Sequence, residues 1–197
     1  MLINEAYFIN TINHIPNLTG CVKNERFTEF MKMKSEEALC LVLGVCLVNE
    51  IKEHLGDNLL LEDDAPQHIK DLVNGVIYEN TSNCNCSNTC SCSSVGTCNK
   101  LKWKGLINTD YRNSLIADYV YFQWMLRPSL VCCDNDKAME HEILKQHKRI
   151  DAWNRFVSDV QECGNCEVSL YRFLKDHKEN YPEQQGTCFS YKNYMNV

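Results

Sequence analysis

The sequence lacks an excess of basic residues. Its 197 residues include 20 Lys and Arg against 26 Asp and Glu, which gives a formal net charge of −6. Proteins that coat nucleic acid neutralise its phosphates with many Lys and Arg side chains. The composition therefore argues against a nucleic-acid-coating role.

Long apolar segments are absent as well. The longest one, Ala38–Val48, contains a glycine and two cysteines and is far shorter than the ~18–20 residues that a helix needs to cross a bilayer. The first ten residues, MLINEAYFIN, carry neither a basic segment nor a cleavage site. We therefore expect no signal peptide and no membrane association, and we expect synthesis in a reducing cytoplasm, where thiols stay free or bind metal.

Cysteine, by contrast, is abundant. The chain has 13 cysteines, an odd number that rules out complete intramolecular pairing. Five of them lie in a segment of Cys, Asn, Ser and Thr at residues 80–100, at positions Cys84, Cys86, Cys90, Cys92 and Cys98. Four thiolates can bind Zn²⁺ tetrahedrally, although C-x-C pairs depart from the usual structural spacing. The segment is therefore either a zinc site or a polar loop without a ligand, and we expect no other cofactor.

Two further cysteines, Cys163 and Cys166, form a C-x-x-C motif. A redox-active dithiol of this kind sits at a helix N-terminus after a strand, where the helix dipole lowers the thiol pKa. Here the motif follows a predicted long helix, and no alternation of strands surrounds it. A turn between two helices is the favoured interpretation, and a thiol oxidoreductase is the alternative.

Apolar residues recur every three or four positions over most of the chain, which is the period of amphipathic helices. The sequence shows neither an internal repeat nor alternating strands and helices. We therefore predict an all-α fold, an antiparallel helical bundle. Gly44, inside the longest predicted helix, marks either close packing or a kink. The predicted helices span residues 4–12, 24–55, 64–77, 110–127, 138–162 and 168–177.

Residues 1–182 are predicted to form the helical domain, with residues 80–100 as a loop inserted between two helices. Residues 183–197 are predicted to be an extended C-terminal tail, polar except for three aromatic side chains, Phe189, Tyr191 and Tyr194. Aromatic residues in an extended segment favour docking, either on a partner or neighbouring subunit as an added strand, or on the chain's own bundle. Both alternatives stay open at this point.

Catalytic motifs are missing from the sequence. It contains no H-E-x-x-H, no G-x-S-x-G, no phosphate-binding Walker loop and no G-x-G-x-x-G, and its six histidines are isolated. We therefore predict no catalytic residues and no enzymatic activity. A small basic cluster, Lys145–Arg149, is too short for a nucleic-acid site but suits contact with an acidic partner.

Several motifs appear in a characteristic order along most of residues 1–182. They are MLINEAYF at 1–8 with Ile15-Pro16, EALCLVLGVCLVNEI at 37–51, WKGL at 103–106, ADYVYFQWML at 117–126, AWNRFV at 152–157, LYRFLK at 170–175 and Tyr181-Pro182. This order resembles the head-to-tail connector (adaptor) proteins that form neck rings in tailed bacteriophages. The insert at 80–100 departs from the family's pattern.

The resemblance implies a structural virion protein rather than an enzyme. Such proteins are made in the host cytoplasm and form a homo-oligomeric ring, expected to be a dodecamer, at the phage neck. The ring binds the portal protein and the tail or other neck proteins, and DNA passes through its channel without specific binding, which suits an acidic chain. On this interpretation Phe189, Tyr191 and Tyr194 are docking anchors. The alternative is an intracellular zinc-stabilised helical protein-binding module whose Cys-rich segment folds on metal.

Overall fold

The structure of the protein is a computed structural model that describes residues 2–16, 18, 21–56, 60–79, 100–108, 112–127, 135–161, 167–182 and 186–194. A short 3-10 helix, Glu5–Phe8, precedes the first α-helix. The remaining elements, in chain order, are α1 (Cys21–Glu53), α2 (Gln67–Asn74), β1 (Val76–Glu79), β2 (Lys100–Trp103), α3 (Leu115–Met125), α4 (Asn135–Gln161), β3 (Glu167–Val168) and α5 (Leu170–Asp176). Within these ranges, no helix is both long enough and apolar enough to cross a membrane.

Helix α3 lies at the centre of the bundle and packs against both α1 and α4. Every residue from Leu115 to Phe122 is buried, which is the pattern of a helix surrounded by protein. Ser114 begins the helix, because its hydroxyl oxygen accepts a hydrogen bond from the Ile116 N–H and its hydroxyl group donates to the Leu106 carbonyl. The aromatic helix predicted from the sequence is thus the core of the molecule.

Helix α1 is kinked at Gly44, whose φ of 75° and ψ of 162° are not helical. A Cβ atom at this position would meet nothing within 4 Å. Of the two roles that the sequence left open for Gly44, the structure therefore supports a kink and excludes close packing.

The bundle carries a small three-stranded sheet with the order β1-β2-β3. Strands β1 and β2 are antiparallel, with Val76 opposite Trp103 and Glu79 opposite Lys100. Strand β3 is parallel to β2, with Trp103 opposite Val168. The fold is therefore mostly helical, as predicted, but the all-α prediction is wrong for these short strands.

The predicted second helix, 64–77, is too long at both ends. Val76 and Ile77 continue the three- and four-residue spacing of the apolar residues before them, but they lie in β1. The helix ends because Gly75 adopts φ 87°, a left-handed conformation that favours glycine. The Cys-rich segment accordingly leads from one strand of a hairpin to the other, not from helix to helix.

Gly75 and Gly105 allow two backbone segments to cross at close range. A Cβ atom on Gly75 would lie 2.6 Å from the Trp103 carbonyl oxygen, and one on Gly105 would lie 2.7 Å from the Val73 carbonyl oxygen. Gly105 also has a positive φ, 90°. This crossing brings the Trp103 indole N–H to the Leu72 carbonyl at 2.9 Å, and so fixes the sheet against α2.

Candidate docking surface on the long helix

The C-terminal tail segment, residues 186–194, lies on the chain's own bundle. Phe189 pairs with Gln161 near the end of α4, Lys192 pairs with Asn154, and Tyr194 contacts Asp151. The tail segment therefore runs antiparallel to α4. The sequence left two alternatives open, docking of the tail on a partner and docking on the chain's own bundle. The structure shows the tail on the chain's own bundle, and docking of the same residues on a partner stays a prediction.

Two side-chain amides of α4 hold the main chain of the tail segment. The Gln161 amide donates to the Phe189 carbonyl at 2.6 Å and accepts from the Phe189 N–H at 3.0 Å. The Asn154 amide does the same with Lys192, at 3.0 and 2.9 Å. Seven residues of helix rise about 10.5 Å, and three extended residues span about 10 Å, so the two amides match the repeat of an extended backbone.

Aromatic side chains add an apolar contact between these two pairs. The Phe189 ring lies 5.2 Å from the Phe156 ring and 6.0 Å from the Trp153 ring. The Trp153 indole N–H donates to the Ser190 carbonyl at 2.8 Å. At the start of the tail segment, the Tyr171 hydroxyl accepts from the Thr187 N–H at 2.9 Å. Phe189 thus anchors the segment on the chain's own bundle, and its predicted role in docking on a partner stays a prediction.

The other two predicted anchors are less buried. Tyr191 is 45% exposed and Tyr194 is 46% exposed. The Tyr194 ring lies 5.1 Å from the His147 ring, and its hydroxyl donates to the Asp151 carboxylate. This hydrogen bond raises the pKa of Tyr194 above its ordinary value, because losing the proton would place two negative charges side by side. Both tyrosines keep a large accessible surface.

Beside the tail segment lies an open cleft of about 250 Å³. Its lining combines apolar side chains with two cations: Phe122, Leu126, Arg149, Ile150, Tyr191, Lys192 and Asn193. The Lys192 ammonium group lies 5.6 Å from the Phe122 ring centre and 5.5 Å from the Trp153 ring centre, within reach of a cation–π attraction. Arg149, the last residue of the basic cluster predicted at Lys145–Arg149, thus lines an apolar cleft.

A second polar feature, unforeseen in the sequence, connects the N-terminal segment to α3 and α4. Arg155 donates to the Asp118 carboxylate from Nε at 3.0 Å and from Nη2 at 2.7 Å. Asn13 donates to the same oxygen at 2.9 Å and accepts from Arg155 at 2.8 Å. Burial raises the pKa of Asp118 to about 6, against the opposing effects of Arg155 and Asn13. A sequence signal existed, because an Asp in the middle of an aromatic helix needs a partner when buried.

Next to this polar network lies a small cavity of about 130 Å³, lined in part by Lys104 and Asp159. The Lys104 ammonium group forms an ion pair with the Asp159 carboxylate. Burial raises the pKa of Asp159, although Lys104 opposes the shift. Because the buried Asp118 and the partly buried Asp159 both have cationic partners, this arrangement ties together the N-terminal segment, α3, α4 and the loop after β2.

The predicted metal ligands Cys84, Cys86, Cys90, Cys92 and Cys98 lie outside the described residues, and so do Cys163 and Cys166. Their roles stay predictions. In the part of the chain that the structure describes, no group of three or more His, Cys, Asp or Glu side chains is placed to hold a metal ion. Three of the cysteines in that part of the chain, Cys40, Cys46 and Cys188, are free thiols.

Comparisons with known proteins found no family model that matches the chain, and no significant similarity to a curated protein or to a solved structure.

The motif Ala152–Val157 nevertheless has a definite place in the fold. It supplies the Trp153, Asn154 and Phe156 contacts to the tail segment and the Arg155 contact to Asp118. One short motif therefore contributes both to the contact with the tail segment and to the buried polar network around Asp118.

Proposed function

We propose that the protein is a structural component of a phage neck, where it forms a ring that joins the portal to the tail and extends the DNA channel. The proposal starts from the ordered motifs of residues 1–182. Its partners would be further copies of the same chain, expected as a dodecamer, the portal protein, and tail or other neck proteins. In this role the protein has no catalytic function.

The observation that carries the proposal is the use that the fold makes of AWNRFV at 152–157. This motif builds a docking surface for an extended segment, with amides that contact main-chain atoms and aromatic rings that contact Phe189. Recognition of main-chain atoms suits the binding of extended termini, which is one way to join neighbouring subunits of a ring.

The charge of the chain also supports this function. A net charge of −6 gives no general attraction for DNA, and a channel through which DNA slides benefits from weak binding. The cations Arg149 and Lys192 face a cleft with an apolar lining, which favours a protein partner.

Quantitative mass spectrometry of purified virions tests the proposed function. We expect the chain in virions of the phage that encodes it, at the copy number of the portal protein, which serves as the internal standard. Its absence from virions, or a copy number equal to that of the major capsid protein, would overturn the proposal.

A second candidate function, a zinc-stabilised protein-binding module, is favoured by the sheet topology. Glu79, Lys100 and Glu167 are the last described residues before or after the two cysteine-bearing segments, 80–99 and 162–166. Glu79 and Lys100 are opposite each other at one end of the sheet. Glu167 is opposite Lys102, and because β3 is parallel to β2 the chain enters β3 from the side of that same end.

Elemental analysis of the full chain, purified under reducing conditions, separates the two candidates. About one zinc ion per chain, lost when the five cysteines of 84–98 are replaced by serine, would favour the zinc module. A chain without bound metal would remove it. The connector function does not depend on the outcome.

A further inference from the structure

The cleft beside the tail segment has the chemistry of a site for an apolar and acidic segment. Leu126, on its rim, is 48% exposed, and Phe122, Ile150 and Tyr191 extend the apolar lining. Arg149 and Lys192 supply positive charge at its edge. The cleft therefore offers space for an apolar side chain and two cations for nearby carboxylates.

Positive charge extends beyond the lining of the cleft. Lys148 is exposed next to Arg149, and the ion pairs of the described residues include neither of them. A local excess of cations on a chain of net charge −6 is a point to which acidic surfaces of other copies are attracted.

The complementary segment is present in the same chain, between α1 and α2. We name residues 60–64 the acidic loop. Leu60 is 54% exposed. Leu61 separates it from three exposed carboxylates, Glu62, Asp63 and Asp64. Lys70 donates to the Asp63 main-chain carbonyl and compensates only part of this negative charge.

Main-chain hydrogen bonds hold the acidic loop in a defined shape. The Leu60 carbonyl accepts from the Gly56 N–H at 3.0 Å, and the Glu62 N–H donates to the His54 carbonyl at 3.0 Å. Leu61 also forms a bridge with Leu55. The loop therefore presents an exposed leucine and three carboxylates with little further loss of conformational entropy on binding.

We propose that the cleft receives Leu60 and the carboxylates of the acidic loop from a second copy of this chain. Leu60 would enter the apolar part of the cleft, and Glu62 and Asp63 would approach Lys148, Arg149 and Lys192. The two surfaces are different, so the contact is head-to-tail, and repeated contacts of this type close into a ring when the rotation allows it. This inference rests on the proposed function in one respect, the need for a ring, and names the contact that would form it.

Charge reversal on each side tests the contact in the full chain. One variant carries Lys148→Glu and Arg149→Glu, which leaves the tail segment's hydrogen bonds in place, and the other carries Glu62→Lys and Asp63→Lys. By sedimentation velocity, we expect each variant alone to associate at least about tenfold more weakly than the unmodified chain, because like charges then face each other. An equimolar mixture should regain association, since each variant's loop then meets a cleft of opposite charge.

Matched controls carry the same change in charge elsewhere on the surface. Lys32→Glu with Lys178→Glu, and separately Glu53→Lys with Glu179→Lys, reverse exposed side chains outside both surfaces. We expect both controls to associate as the unmodified chain does.

Several outcomes would overturn the inference: an unmodified chain that stays monomeric, reversed variants that associate normally, or a mixture that does not regain association. Controls that lose association as much as the variants would overturn it too. The virion measurement judges the proposed function separately. A chain that associates through this contact but is absent from virions would support the inference and refute the neck function.

Discussion

The buried carboxylate of Asp118 should make the stability of the fold depend on pH in an unusual direction. Its pKa rises from 3.8 to about 6 in the folded protein, mainly because burial disfavours the charged form. A carboxylate with a raised pKa binds its proton more tightly when folded than when unfolded. The folded state is therefore favoured at low pH, and the free energy of unfolding should fall as pH rises from about 4 to about 6.

The size of this change in stability follows from the pKa shift of Asp118. Two pKa units correspond to about 3 kcal/mol, at roughly 1.4 kcal/mol per unit. The side chain of Asp118 is only 6% exposed, so solvent screening reduces this value little. Burial also raises the pKa of Asp159, which adds to the loss of stability in the same direction.

Exposed carboxylates with lowered pKa values limit the gain in the free energy of unfolding at acid pH. The hydrogen bond from Lys52 lowers the pKa of Glu36 below its ordinary value of 4.5. Its stabilising effect is complete above that value and is lost as pH falls below it. The two trends together place the maximum of stability at acid pH, near 4, and not at neutral pH.

Urea unfolding at about pH 5 and about pH 7.5, followed by circular dichroism under reducing conditions, measures the effect. The unmodified chain should be less stable at the higher pH by about 1.5 kcal/mol, because roughly half of the full effect is already lost between about pH 3.8 and about pH 5. Asp118→Asn should remove most of this difference. Asp63→Asn changes an exposed carboxylate and serves as the control, which should keep the full difference. A stability that stays constant or rises between the two pH values, or an Asp118→Asn chain that keeps the difference, would refute the reasoning.

Three other substitutions test separate parts of the fold. Gly105→Ala should lower the free energy of unfolding by about 3–5 kcal/mol, because a strained backbone and a clash with the main chain add together. The control Gly44→Ala, with open space around it, should cost only about 1–3 kcal/mol. Equal losses in urea unfolding would contradict the close backbone crossing at Gly75 and Gly105. Trp124→Ala should cost about 3 kcal/mol, the lower end for large aromatic residues, because the half-buried ring packs edge-on against Phe27 and Phe30; a loss below about 1 kcal/mol would place the ring outside the core. Asn154→Ala with Gln161→Ala should raise amide hydrogen exchange at 187–192 at least about tenfold while exchange in α3 stays unchanged; unchanged exchange in the tail would show that the amides do not hold it.

The sequence predicted the helices of this fold better than the strands for a physical reason. Helix α4 buries an apolar face over several turns, and its three- and four-residue spacing is visible along the chain. Helix α3 is a long apolar and aromatic run that is buried on all sides from Leu115 to Phe122. Strand β1 has four residues, and Val76 and Ile77 happen to continue the helical spacing of α2. The information that ends α2 lies in Gly75, whose partner Gly105 is distant in sequence, so the need for a glycine appears only when the two segments meet.

The docking surface on α4 also could be predicted only in part from the local sequence. Three aromatic residues in a polar tail predicted docking, either on a partner or on the chain's own bundle, and in the structure Phe189 packs on the chain's own bundle. The residues that receive it, Asn154 and Gln161, are polar positions on a helix, and nothing in their local sequence distinguishes them from solvated side chains. Their role depends on the match between two turns of helix and three residues of extended chain, which is a property of the assembled fold.

The tail segment and the proposed subunit contact are physically coupled. Tyr191, Lys192 and Asn193 belong to the tail segment and also line the cleft, so the cleft exists in this form only while the tail is bound. Ordering each backbone residue costs about 1–2 kcal/mol, and each hydrogen bond returns only about 1 kcal/mol, so this mostly exposed segment is held with little net free energy. An acidic loop bound in the cleft would therefore stabilise the tail on its own bundle, and release of the tail would remove part of the contact between subunits.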